Sequence, residues 1–358
     1  MTFRRITAKD DKDLAKQAER YEIGQAANHF AGQAVFDQYR GLIADNTRRT
    51  QDAGLELFAE FLNEKFDWKA SGERLSIMAE AWSEITHGLV TAFVYWQLDR
   101  GYAVSTVNAR LSTIKRYAKL AYKAGTLTGA EYGMIKAVEG FQKKQYARID
   151  AQRENEGIDT RRKVSRGMFD GQGKPVGTIK KASSVLIPED RADMLKEQPD
   201  DPQGRRDRLL MCLLLDHGLR VSEVAILERE NIDLENGVMT IYRPKVDRTE
   251  NHKMTGDTWR AARAYLEQDA PETSGIWRGS RRGRKLTNAS LSIRSINNRV
   301  RALGERVGIE GLSPHDCRHY GATLDAPRLG MRGLMDKYGW TSAQTAIGYI
   351  ESAKVIEP

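Results

Sequence analysis

The chain has 358 residues, 40% of them hydrophobic and 30% charged, with two cysteines and a formal net charge of +8. That length is too great for one ordinary core and fits two domains. No run of about 18 apolar residues is available to span a membrane, and Cys212 and Cys317, with no CxxC spacing, exclude a disulfide framework and a structural zinc site. The opening "MTFRRITAKDDKDLAK" lacks the apolar region of a secretory signal, so a cytoplasmic, reduced protein is expected. The excess of 57 basic over 49 acidic residues favours a polyanionic partner such as nucleic acid.

Residues 1–40 carry mixed charge and helical character but no clear fold of their own. In "NTRRTQDAGLELFAEFLNEKF", Leu55, Phe58, Phe61 and Leu62 share one helical face, with Asn46 and Thr47 placed as caps. "ERLSIMAEAWSEITHGLVTAFVYWQLDRG" holds two helical stretches ending near Gly101. "VSTVNARLSTIKRYAKLAYKAG" is the clearest helix: Ser105 or Thr106 as cap, Val107, Leu111, Ile114, Ala118 and Ala121 as stripe, Gly125 as stop. Residues 41–140 therefore predict a small all-helical domain.

Residues 141–181 lose apolar periodicity, with eleven Lys/Arg, five Asp/Glu and four glycines between 167 and 177. They read as a basic linker, suited to follow a phosphate backbone or simply solvated. A second domain, 182–358, begins near "VLIPEDRADMLKEQ". "RDRLLMCLLLDHGLRVSEVAIL" gives two apolar helices broken at His217-Gly218, "GVMTIYR" a short strand, "VDRTENHKM" a turn and return strand, and the rest from Thr258 helix. The predicted class is mostly α with a small antiparallel sheet.

Four places in this second domain carry chemistry. Arg220 follows the helix break and can be aimed into a cleft, or can simply pair with Glu223 at the surface. His315 and Arg318 stand three apart on a helix started by Ser313 and Pro314, so they share a face near a helix N-terminus, where anions are favoured. Asp316 and His319 lie one residue along from these two, which assigns them to other faces and argues against a metal site. Tyr349, nine residues after Trp340, is either a packed aromatic or a nucleophile towards a phosphodiester. Lys245 ends the first strand before a turn, from which it could protonate a leaving oxygen. Lys253 on the return strand competes for that role.

These motifs, in this order, resemble the tyrosine recombinase or phage integrase family: "GLRVSE" its first arginine motif, "HDCRH" its His-x-x-Arg motif, "YGWTSAQTAIGYI" its tyrosine segment. "NTRRTQDAGLELFAEFL" and "STVNARLSTIKRYAKLAYKAG" resemble the family's core-binding helices, and the likeness covers about residues 35–352. The resemblance implies a SAM-like helical core-binding domain followed by a recombinase catalytic domain. It implies a site-specific DNA recombinase that works through a 3′-phosphotyrosine, without metal or other cofactor, as a homotetramer on paired double-stranded DNA sites, with an accessory directionality factor as a possible partner and no membrane.

On the same resemblance, Arg220 and Arg318 clamp the scissile phosphate, His315 is general base or acid, and Lys245 protonates the departing 5′-hydroxyl. Trp340 bonds a non-bridging oxygen, Tyr349 attacks, and Glu223 supports from behind. Trp stands at 340 where His is commoner in the family, and the "VDRTEN" turn lacks the family's glycine. Arg48, Arg49, Thr106, Asn108, Arg110 and Lys115 are the candidate DNA contacts of the helical domain. The alternatives are a type IB-like topoisomerase, which relaxes without a synapse, and a non-catalytic DNA-binding relative, which would have a broken catalytic set.

Overall fold

The computed structural model describes residues 8–158, 187–272, 275–281 and 283–353. The chain forms two compact units, Met1–Lys180 and Lys181–Pro358. Among the described residues no helix is long and apolar enough to cross a membrane.

The first unit is helical: α1 (Ala8–Leu42), α2 (Asp45–Phe66), α3 (Gly72–Ile77), α4 (His87–Asp99), α5 (Val104–Lys123), α6 (Gly129–Ala137) and α7 (Lys143–Asn155). The predicted stripes of α2 and α5 are buried, and with them Phe58, Phe61, Trp82, Phe93 and Tyr117 form an aromatic centre. Phe58 and Phe93 lie 4.9 Å apart, and Trp82 stacks on Tyr117 at 6.3 Å. The caps differ from expectation: α2 starts after Ala44 and α5 after Ala103, neither with a side-chain cap bond.

Two boundary expectations are corrected. Residues 8–42 make a single helix, and its last turns belong to this core: Phe36 is buried, Arg40 pairs with Asp52 at 2.6 Å, and Gln51 donates to the Tyr39 hydroxyl at 2.7 Å. Residues 143–155, expected as linker, form α7. Tyr146 and Ile149 pack on the core, and Arg153, 4% exposed, donates to the carbonyls of Leu98 (3.2 Å) and Tyr102 (2.8 Å). A buried arginine occupies the stripe position, so apolar periodicity could not reveal the helix. The remainder of the expected linker, 159–181, lies outside the described residues.

In the second unit α8 (Glu189–Lys196) and α9 (Pro202–Leu215) are followed by α10 (Val221–Ala225). Asp201 caps α9, accepting from the Gly204 N–H at 2.8 Å, and Leu209 to Leu215 are buried without interruption, so α9 is the central helix. β1 (Ile232–Asp233), β2 (Val238–Arg243) and β3 (Arg248–Lys253) form an antiparallel sheet in the order β1-β2-β3, with Arg243 opposite Arg248 at the hairpin end. After α11 (Gly256–Gln268) comes a second hairpin, β4 (Arg278–Ser280) and β5 (Leu286–Ser290). It corrects the all-helical expectation for this stretch. "RGSRRGRKLTNAS" lacks the alternation of apolar residues that announces a half-buried strand.

The chain closes with α12 (Ile293–Arg306), α13 (Pro314–Tyr338) and α14 (Ala343–Ala353). Ser313 caps α13 as expected, in a reciprocal box with Asp316. Gly330, at φ 62° and ψ −177°, breaks α13 into two pieces. The turn at Gly339 (φ 56°) then sends α14 back across α13.

Candidate active site

Arg318 points inward from α13 and is 4% exposed. Its guanidinium donates to the Gly218 carbonyl at 2.6 Å and to the Tyr338 carbonyl. Among the described residues no carboxylate forms an ion pair with it. Burial, reinforced by the like charge of Arg220, brings its pKa down to about 10, so it stays cationic at neutral pH. A buried cation held only by carbonyl dipoles gains most from an arriving anion. The Gly218 backbone, at φ 58°, lies so close to the Tyr338 ring that a Cβ there would come within 2.2 Å. That close approach explains the glycine in the helix break.

Arg220 caps α10 at the same break. Its guanidinium donates to Glu223 Oε1 at 2.6 Å and to the Gly339 carbonyl at 3.3 Å, while its backbone N–H donates to Glu223 Oε2 at 2.8 Å. Arg220 thus pairs with a buried Glu223, and the pair aims it at the turn between α13 and α14. At 22% side-chain exposure it keeps donor capacity facing solvent.

Tyr349 on α14 stacks on Trp340 with ring centroids 5.0 Å apart and planes 11° from parallel; Trp340 in turn stacks on Tyr338 at 5.1 Å. The Arg318 guanidinium sits 5.7 Å from the Trp340 ring centroid. Burial raises the Tyr349 pKa, with the Arg318 charge opposing it. The tyrosine hydroxyl touches a residue that the sequence reading had turned away: it is hydrogen-bonded to Nδ1 of His319. His319 Nε2 lies 3.0 Å from Nε2 of His315. The reason is spacing: His319 is offset by one residue from Arg318, but 315 and 319 stand four apart and share a face.

A scan of family models matches residues 185–355 to the phage integrase family. All six residues of the expected catalytic set fall within that span. The second unit therefore matches the phage integrase family, and relatives of the chain are tyrosine recombinases. It is 26% identical over 317 residues to the tyrosine recombinase XerC of Roseiflexus castenholzii, covering 85% of this chain and 82% of that one. To the tyrosine recombinase XerA of Thermococcus kodakarensis it is 29% identical over 196 residues, covering 51% and 67%. In fold it is similar to the Tn1549 transposon integrase solved with transposon right end DNA, with a TM-score of 0.55, 12% identity and coverage of 89% and 94%.

The recombinase hairpin is anchored by a residue that sequence reading passed over. Met239, Ile241 and Arg243 are the inward positions of β2, and Arg243 is 0% exposed. It donates to Glu250 (2.6 Å), Glu223 (3.1 Å) and the Lys337 carbonyl (2.6 Å), and lies 3.1 Å from His252 Nε2. Through Glu223, which also holds Arg220, it ties the hairpin to the first arginine. Lys245 sits exposed in the turn beyond it. Asp247 takes the left-handed conformation there, at φ 47°, and accepts from the Tyr242 hydroxyl at 2.8 Å. Lys253 pairs with Val238 at the far end of the ladder, roughly 17 Å along the strand from the turn. The two lysines therefore cannot serve one phosphate interchangeably. Lys253 instead lines a cavity of about 700 Å³ with His217, His252 and Lys337.

The candidate DNA contacts of the first unit divide. Arg49 is exposed; Arg48 is half-buried and pairs with Asp45 at 2.6 Å; Thr106 and Lys115 are half-buried. Asn108 is spent internally: its amide donates to the Phe141 carbonyl (2.7 Å) and the Tyr146 hydroxyl (3.0 Å), and its carbonyl accepts from the Phe141 N–H (2.9 Å). Arg110 lies over the Tyr102 ring at 4.3 Å and donates to Gln97 at 3.1 Å. On α5 the exposed basic side chains include Arg116 and Lys119, one turn past the group singled out from the sequence. Their only sequence signal is that they fall off the apolar stripe.

Proposed function

We propose that this recombinase cuts and rejoins double-stranded DNA through a 3′-phosphotyrosine on Tyr349, working as a tetramer on two paired sites, with accessory control of direction. The observation that carries the reading is Arg318: a buried guanidinium without a carboxylate partner, beside Arg220 and under the Tyr338–Trp340–Tyr349 stack. Arg318 and Arg220 bind the two non-bridging oxygens of the scissile phosphate and stabilise the added negative charge of the transition state. The Tyr349 oxygen attacks phosphorus as its proton leaves. The bond from phosphorus to the 5′ oxygen breaks, and Lys245 protonates that oxygen. His315 acts as the general acid or base, Trp340 fixes the tyrosine ring by stacking and offers its indole N–H to a phosphate oxygen, and Glu223 orients Arg220. Two guanidiniums and a lysine supply the positive charge the step requires. Arg48, Arg49, Thr106, Arg110 and Lys115 bind the DNA backbone on the helical unit; Asn108 is left out, because its amide donors are already used.

The test is a pool of duplexes nicked within a randomised segment, so that a cut strand cannot reseal, incubated with wild type and Tyr349→Phe in EDTA. Wild type is expected to become covalently linked to one strand and Tyr349→Phe not. Trapping by both would mean the wrong tyrosine, and trapping by neither would defeat the reading. Lys245→Ala and Lys253→Ala on the recovered duplex separate the two lysines, the larger loss being expected for Lys245.

A further inference from the structure

We propose that His319 is the base that removes the Tyr349 proton and passes it on to His315, an inference that rests on the strand-cleavage reading above. The three groups are in line. The phenol oxygen bonds His319 Nδ1, and His319 Nε2 bonds His315 Nε2 at 3.0 Å. One α-helical turn carries both imidazoles, rings 4.4 Å apart and nearly perpendicular. The line also runs outward: Tyr349 and His319 are half-buried, and His315 is exposed.

The chain of contacts determines the tautomers. If the phenol donates to Nδ1 of His319, that ring carries its hydrogen on Nε2 and donates it to His315 Nε2, so His315 carries its own on Nδ1. When the Tyr349 oxygen bonds phosphorus, its O–H bond breaks and the proton goes to His319 Nδ1. The His319 Nε2 proton moves to His315, which becomes the imidazolium and releases a proton to solvent. On rejoining, the same steps reverse. No oxidant or cofactor is needed, and the 5′ oxygen takes its proton separately from Lys245.

The groups acting on His319 are Asp316 and Arg318 on its own helix, with His315 and Tyr349 in contact. Burial holds the His319 pKa below the usual imidazole value, with Asp316 opposing and Arg318 adding to the effect. A second proton is therefore not retained on His319, which suits a relay and not a store. The same Arg318 charge that would hold the phosphate draws the Tyr349 pKa down against its burial, so proton loss and phosphate contact depend on one residue.

The substrate for the test is the duplex that wild type captures from the nicked, randomised pool. His319→Ala and His319→Asn are compared with wild type in single-turnover cleavage. Asparagine keeps an acceptor oxygen near the Nδ1 position but does not accept a proton. Both variants are expected to slow by about 10²–10⁴-fold with unchanged affinity for the duplex. Their rates should climb with hydroxide where the wild-type profile is flat, and added imidazole should restore part of the rate to His319→Ala. A His319→Asn chain that cleaves like wild type, or variants that keep the wild-type pH profile, overturn the relay. A wild type that captures nothing defeats the cleavage reading itself, and the contact is then judged on the DNA-free chain by ¹³Cζ-tyrosine NMR. There the Tyr349 resonance, assigned by its loss in Tyr349→Phe, must move in His319→Ala or the contact fails.

Discussion

At the centre of the first unit stand Phe58, Phe61, Trp82, Phe93 and Tyr117; the second, beside an apolar core of its own, also buries Arg206, Asp207, Glu223, Arg243 and Arg318, and none of the ten is more than 4% exposed. The aromatic group is held by area and ring contact, which tolerate many partners. The charged group is held by pairwise geometry: Arg206 to Asp207 at 2.6 Å, Arg299 to the other oxygen of Asp207, Arg243 between Glu223 and Glu250. Apolar burial asks only for area, whereas a guanidinium held in a poorly solvated place requires partners fixed by the fold.

The contrast is sharpest if loss of charge and loss of area have different consequences. Arg318→Ala should lower cleavage by about 10³-fold or more while the unit stays folded, since the residue holds no carboxylate that would be orphaned; single-turnover kinetics with circular dichroism checks both halves. Phe58→Ala should cost the first unit about 3–5 kcal/mol in denaturant unfolding, because its ring neighbours cannot close the cavity. Arg243→Ala should cost the second unit a comparable 3–5 kcal/mol, by leaving Glu223 and Glu250 buried with one cation fewer. Arg153→Met, which removes donors from two carbonyls and leaves only the half-exposed Asp150 without its cation, should cost the first unit only about 1–3 kcal/mol. If Arg243→Ala and Arg153→Met cost the same, the distinction between the units is wrong.

Acid provides the most gradual and broadest effect. Burial, helped by the charges of Lys337 and His252, takes His217 from the ordinary 6.5 down to about 3. Below pH 6.5 the unfolded chain binds a proton there that the folded chain refuses, so stability falls as pH falls towards 3, by at most about 1.4 kcal/mol per pH unit. Asp325 adds to this loss. Although its burial opposes the shift, Lys337, Tyr338 and Arg328 hold its pKa below the usual carboxylate range, and the stability they lend disappears as it protonates. Hydrogen exchange followed by peptide from neutral pH to pH 4 should therefore show the second unit opening before the first. The reverse order would remove buried charge as the difference between them.

The helical class, the stripes of α2 and α5, the capped start of α13 and, through three short motifs in order, the family and the residues proposed for its chemistry are legible along the chain. Those features are local: a period of 3.6, a serine before a proline, an arginine three residues after a histidine. The sequence could not reveal α7 or the role of β2's last inward residue, because Arg153 and Arg243 stand where an apolar side chain was the sign to look for. The carbonyls that Arg153 satisfies lie 51 and 55 residues away, and the partners of Arg243 lie 7 to 94 away. Nor could it show that Asn108 is used internally or that the hydroxyl of Tyr349 rests on His319, 30 residues distant. Tertiary structure decided these points for a single reason. A buried polar group must be satisfied by whichever donor or acceptor the fold brings beside it, and that neighbour is not encoded at any fixed spacing along the chain.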